Sequence, residues 1–195
     1  MDELRAEGAA ISILVAKATE SYLEGTGKIL TAAGHKEKAE KYEAAAKDLS
    51  KNREDPQNLK DTVNLIDKGN KDLEELLGQK AVFSKKTRKE FATGVAYVGA
   101  AGLADGTAGK LTADHLEKLN GAMEVVKEDP IKYGAGALAY LTEAADLMTF
   151  LSANLPTHAN SIGNTYSALV KYANTCGVAV SQADCDEQFG KITAK

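Results

Sequence analysis

The chain has 195 residues, a formal charge of −4 and both signs of charge interspersed. That size supports one domain with a substantial core. The absence of an overall basic excess argues against a nucleic-acid partner. No run approaches the 18 apolar residues of a membrane-spanning helix, and the opening residues do not read as an export leader.

Helix signals dominate: Ala, Lys, Glu and Leu are abundant, there are three prolines, and no segment alternates in strand fashion. The spacing predicts a first helix over about 9–33, with Ile11, Leu14, Val15, Ala18, Tyr22, Ile29 and Leu30 on one side. Ala32-Ala33-Gly34 ends it, Gly34 acting as a left-handed cap. A charged helix follows over about 36–51, with Ala39, Tyr42, Ala46 and Leu49 on its apolar face. Asp55 then caps a third helix whose first position is Pro56, where the missing N–H costs nothing. Its stripe, Leu59, Val63, Ile66, Asn70, Leu73 and Leu77, carries it to about 77.

The pattern then restarts. A helix from about Ser84 carries Phe91, Val95 and Val98 and is expected to end at Ala100-Ala101-Gly102. Asp105-Gly-Thr-Ala-Gly109 reads as a loop, and Thr112 caps a short helix with Leu116, Leu119, Met123 and Val126. Glu128-Asp129-Pro130 opens a long helix to about Asn154, just as Glu54-Asp55-Pro56 opens the third. Leu155-Pro156 separates this from a helix over about 157–175, ended by Cys176-Gly177. Ser181 caps a last short helix. The expectation is therefore an all-α bundle of about seven helices in one domain. It comprises two related three-helix units, about 9–78 and 82–155, and C-terminal helices over 157–195.

Cys176 and Cys185 stand nine residues apart across a Gly-containing turn. The pair suits a disulfide that closes a short loop, stabilising by roughly 2 kcal/mol. It also suits an exported, periplasmic protein, since disulfides persist in oxidising compartments. No metal site is expected, because no His lies near the cysteines and His35, His115 and His158 lack ligand spacing. The Glu-Asp pairs read as N-terminal charges that suit the helix dipole. No phosphate loop, nucleophile elbow or Glu-x-x-His pair is present, so neither an enzyme nor a cofactor is expected. A set such as Tyr97, His115 and Asp146 has no sequence signal behind it.

Charge distribution carries more information. Residues 133–183 hold only Glu143, Asp146 and Lys171 as charges, and residues 91–103 hold none. These segments are rich in Gly and Ala, and each mid-helix Gly costs about 1 kcal/mol relative to Ala. Close helix packing or a groove walled by backbone would offset that cost. Phe91, Tyr97, Met123, Tyr133, Leu138, Tyr140, Met148, Phe150 and Tyr166 fall among these small residues. Adaptable Met and amphipathic Tyr suit an apolar pocket; an ordinary filled core uses the same residues. Asn154, Asn160, Ser161, Asn164, Thr165 and Ser167 offer neutral polar groups for its mouth.

The all-helical build, the C-terminal cysteine pair, the low-charge half and the lack of a catalytic set resemble small helical periplasmic components of bacterial lipid trafficking, including those proposed to carry sterols. That resemblance implies a non-catalytic carrier of an apolar molecule with a hydroxyl head, passed between membrane-associated partners. The other reading is a helical-repeat scaffold that binds a protein or peptide.

Overall fold

A computed structural model of the chain describes residues 1–53 and 55–194; Glu54, the first residue of one Glu-Asp-Pro landmark, lies outside the described residues. The elements are α1 (Asp2–Ala32), α2 (Lys36–Lys51), α3 (Pro56–Val63), α4 (Leu65–Leu77), α5 (Lys85–Glu128), α6 (Pro130–Tyr133), α7 (Ala135–Thr175) and α8 (Gln182–Thr193). No strand occurs among the described residues. Among the described residues, seven helices span eight residues or more and α6 is a single turn, so the all-α class and the helix number match expectation. No helix among the described residues is long and apolar enough to cross a membrane.

The helix boundaries follow local chemistry. Asp55 accepts hydrogen bonds from the amides of Gln57 and Asn58 at 2.9 and 3.3 Å, ahead of Pro56. Ser84, Asp129 and Ser181 accept from Thr87, Lys132 and Asp184 in the same way. These bonds satisfy amides that have no partner inside the helix. Gly34 and Gly177 turn the chain at φ +92° and +65°, where a side chain would be strained.

Several expected breaks are absent, and others are new. α5 runs 44 residues without interruption through Asp105–Gly109, the segment read as a loop, and through Ala100-Ala101-Gly102, read as a terminus. α7 passes through Pro156, which was expected to separate two helices. The two helices lie against each other there. A Cβ built on Gly102 would sit 3.0 Å from Ile162, and one on Gly109 would sit 3.6 Å from Leu155. Burial of Ala104, Ala108, Leu151, Leu155 and Ile162 outweighs local costs of about 1 kcal/mol per Gly and about 3 kcal/mol for an interior Pro. The third helix, by contrast, breaks at Asn64 into α3 and α4, and Gly134, at φ +79°, separates α6 from α7. Of the second-half landmarks, Ala100-Ala101-Gly102 therefore lies inside a continuous helix where Ala32-Ala33-Gly34 marks a turn, whereas Asp129-Pro130 marks a helix boundary as Asp55-Pro56 does.

The long helices form an antiparallel row in which α5 packs between α1 and α7. Gly25 of α1 faces Gly94 of α5, and Gly8 faces His115; Gly99 of α5 faces Tyr166 of α7, and Gly109 faces Leu155. α2, α3 and α4 cover one side of this row. Two apolar clusters result. One joins Tyr22, Leu30, Tyr42, Leu73, Phe91 and Leu169. The other joins Ile11, Leu59, Leu119, Leu141 and Leu155. α8 packs on the other side, laying Cys185 and Ile192 on Ala18, Ala96, Ala100 and Ala104.

The cysteines do not pair. Both thiols are free. Cys176 ends α7 with its sulfur 3.9 Å from the Ala81 carbonyl, whereas Cys185 is buried on α5, 3.1 Å from where a Cβ on Gly99 would lie. The segment from Gly177 to Ser181 leads α8 back along α5, so the nine-residue separation does not bring the sulfurs together. The expectation of export drew on that disulfide and loses its support.

Candidate functional site

The nine residues expected to line a pocket separate into groups. Phe91 is buried against Phe83 and Tyr172, with ring centroids 4.7 and 6.1 Å away. Tyr166 packs over Gly99 at the same end of the bundle. Met148 is buried in the other cluster, with Met123, Tyr133, Leu138, Tyr140 and Phe150 packed around its edge. Arg5 lies over the Tyr140 ring at 4.7 Å and Lys60 over Phe150 at 5.7 Å, arrangements that cover ring faces with cations. Tyr97 is half-buried under Lys28, and its carbonyl accepts from Ser21 at 3.1 Å. Among the expected mouth residues, Ser161 bonds Asn70 of α4, Asn154 bonds the Phe150 carbonyl, and Asn160, Asn164 and Ser167 are exposed.

An open apolar groove lies elsewhere, between α1, α5 and the end of α8. It encloses about 650 Å³ and is lined by Ala10, Ile11, Ile13 and Leu14 of α1, Thr107 and Leu111 of α5, and Ile192 to Ala194. None of the nine residues lines it. Its position follows from helical spacing. On α5 the residues under α8 are Ala96, Ala100 and Ala104, and Thr107 and Leu111 continue that row at steps of three and four. On α1, Ala10 and Leu14 precede Ala18 in the same row. The groove is thus the uncovered continuation of the seat that α8 occupies. Leu111 remains 42% exposed there.

Two charged side chains border the groove. Glu7 accepts from Lys118 at 2.6 Å and faces His115 Nδ1 at 3.1 Å. The bond from Lys118 holds its carboxyl below the usual carboxylate range, against the opposing effect of burial. Lys17 donates to the Ala194 carbonyl at 2.7 Å and closes the end nearest α8.

A buried polar layer crosses the bundle between the two apolar clusters. Each long helix supplies one member: Thr19 on α1, Asp105 on α5 and His158 on α7, all at most 3% exposed. Thr19 Oγ1, both Asp105 carboxyl oxygens and His158 Nδ1 have no hydrogen-bonding partner among the described residues. Desolvation pushes Asp105 up to about 8, so its neutral acid form prevails at pH 7. Burial also lowers the His158 pKa, partly opposed by Asp67, whose carboxylate lies 3.6 Å from Nε2. Sequence reading missed this layer because Asp105 fell in an expected loop and His158 after an expected helix break. Among the described residues, no group of three His, Cys, Asp or Glu side chains is placed to hold a metal ion.

Comparison with protein-family models, curated proteins and solved structures gives no match to this chain.

Proposed function

We propose that this chain is a non-catalytic binding protein for an apolar small molecule of the lipid type, held in the groove between α1, α5 and α8. The groove itself is the observation that supports this reading. Its volume of about 650 Å³ falls within the range of roughly 300–1,000 Å³ that small-molecule sites occupy. Its walls are aliphatic, its few polar groups sit at the border, and α8 forms one end. Phe91 and Met148 are buried against protein side chains, Tyr166 packs on Gly99, and none of the three lines the groove.

Titration with the neutral fluorescent probe N-phenylnaphthylamine tests the proposal. Leu111→Glu adds a charge to the groove wall at a half-exposed position and leaves the core untouched. Probe affinity should fall at least tenfold in Leu111→Glu and only a few-fold in Leu111→Ala, with melting temperatures near wild type. Equal affinity in all three proteins would remove the groove as the site. The continuity of the groove with the seat of α8 favours one second reading, a partner protein's amphipathic helix docked end to end with α8. Retention of a helical partner without any probe uptake would select it.

A further inference from the structure

The turn between α4 and α5 carries a surface whose chemistry differs from the rest of the molecule. Lys80, Lys85, Lys86, Arg88 and Lys89 fall within ten residues of a chain whose net charge is −4, and all five are exposed. None of them forms an ion pair among the described residues. Four of the five occupy the first turns of α5, which has no acidic residue in its first turn. Stability alone favours the opposite sign there, because the helix dipole already places positive charge at an N-terminus. A shallow cavity of about 350 Å³ opens among Lys85, Arg88, Lys89 and the Gly177–Ala179 turn, with Asp184 as its acidic lining residue.

Val82 stands in the middle of this surface, 97% exposed. Its neighbours are anchored. The Ala81 amide donates to the Tyr172 hydroxyl at 3.0 Å, that hydroxyl donates to the Gln79 carbonyl at 2.9 Å, and Phe83 is buried on Phe91. The backbone therefore holds an apolar side chain out into solvent between fixed points. Ile131, at the other end of the bundle, is 93% exposed, but Glu128 and Asp129 balance Lys127 and Lys132 beside it. Among the described residues, the 80–89 tip alone combines so exposed an apolar side chain with a cluster of cations that form no ion pair.

We propose that this tip docks the protein on an anionic lipid surface, the cations meeting headgroup phosphates while Val82 enters the interface. Charge complementarity selects the partner's sign, and the projecting valine selects a bilayer over a nucleic acid, whose backbone offers no apolar layer. The inference stands apart from the groove: vesicle binding and probe uptake are read independently.

Sedimentation with vesicles tests it, using pure phosphatidylcholine against phosphatidylcholine mixed with phosphatidylglycerol. The wild-type protein should bind only the anionic vesicles and release at high salt. Each basic residue near such a surface contributes roughly fivefold in partitioning, so Lys85→Gln/Lys86→Gln/Lys89→Gln should weaken binding about 100-fold. Val82→Asp should also weaken it, with the basic residues intact. All these positions are exposed, so circular dichroism and melting should remain those of the wild type. Lack of binding to anionic vesicles, or equal binding by the triple variant, overturns the proposal. Undiminished binding by Val82→Asp, with full displacement by heparin, would also overturn it and leave a general polyanion patch.

Discussion

The approach of α1 to α5 makes a quantitative prediction with opposite signs at two glycines of one helix. A Cβ on Gly94 would lie 2.7 Å from the Gly25 carbonyl oxygen and 2.7 Å from Ile29 Cγ1, and a Cβ on Gly25 would lie 2.7 Å from the Gly94 carbonyl oxygen. Ordinary contact begins near 3.4 Å, so Gly94→Ala forces the helices apart by several tenths of an ångström. Ile29, Val95 and Val98 are fully buried at this crossing. A gap of that size forfeits about a quarter to a half of each dispersion contact, and overpacking of this kind costs about 1–3 kcal/mol. The intrinsic helix gain of Ala over Gly returns about 1 kcal/mol. The net expectation is a loss of up to about 2 kcal/mol, or a Tm lower by up to about 8 °C for a domain of this size. Gly121 lies on the same helix with nothing within 4 Å of its added Cβ. Gly121→Ala should therefore raise Tm by about 2–4 °C. Because Gly25→Ala opens the same gap, the double variant should cost less than the sum of the singles. Thermal melts followed by circular dichroism measure all four proteins. If Gly94→Ala and Gly121→Ala stabilise alike, the backbone contact between α1 and α5 does not exist.

Two further predictions concern the interior and the thiols. Asp105 binds its proton more tightly folded, at about 8, than unfolded, at about 3.9, so stability falls as pH rises between those values. The loss by pH 7 is on the order of 4 kcal/mol. Asp105→Asn should flatten that slope, making the stability difference between variant and wild type change by that amount between pH 4 and 7 in urea titrations; parallel curves would refute it. Free Cys176 and Cys185 should both be modified by a thiol reagent once the protein is unfolded, without prior reduction. In the folded protein Cys185 should react slowly, since burial both shields it and raises its pKa; a protein with no titratable thiol would restore the disulfide.

The amino-acid sequence by itself determined the helical class, the bounds of α2, and the caps at Asp55, Ser84, Asp129 and Ser181. It also determined the glycine turns at Gly34 and Gly177. Each of these depends on bonds or dihedrals within a few residues, so the local sequence contains the whole cause. Only the tertiary structure decided that α5 continues through Asp105–Gly109 and α7 through Pro156. There the local preference for a break, a few kcal/mol, opposes burial against a helix distant in sequence. The same holds for the site. The expected pocket residues divide between opposite ends of the bundle, Phe91 and Tyr166 at one and Met123 to Phe150 at the other, because the long antiparallel helices α5 and α7 carry them apart. The groove exists because α8 covers only part of the row that begins at Ala96, and the polar layer exists because the register of α1, α5 and α7 puts Thr19, Asp105 and His158 between two apolar clusters. Neither the length of α8's coverage nor that register is encoded in any single segment; both follow from how side chains of separate helices fit together.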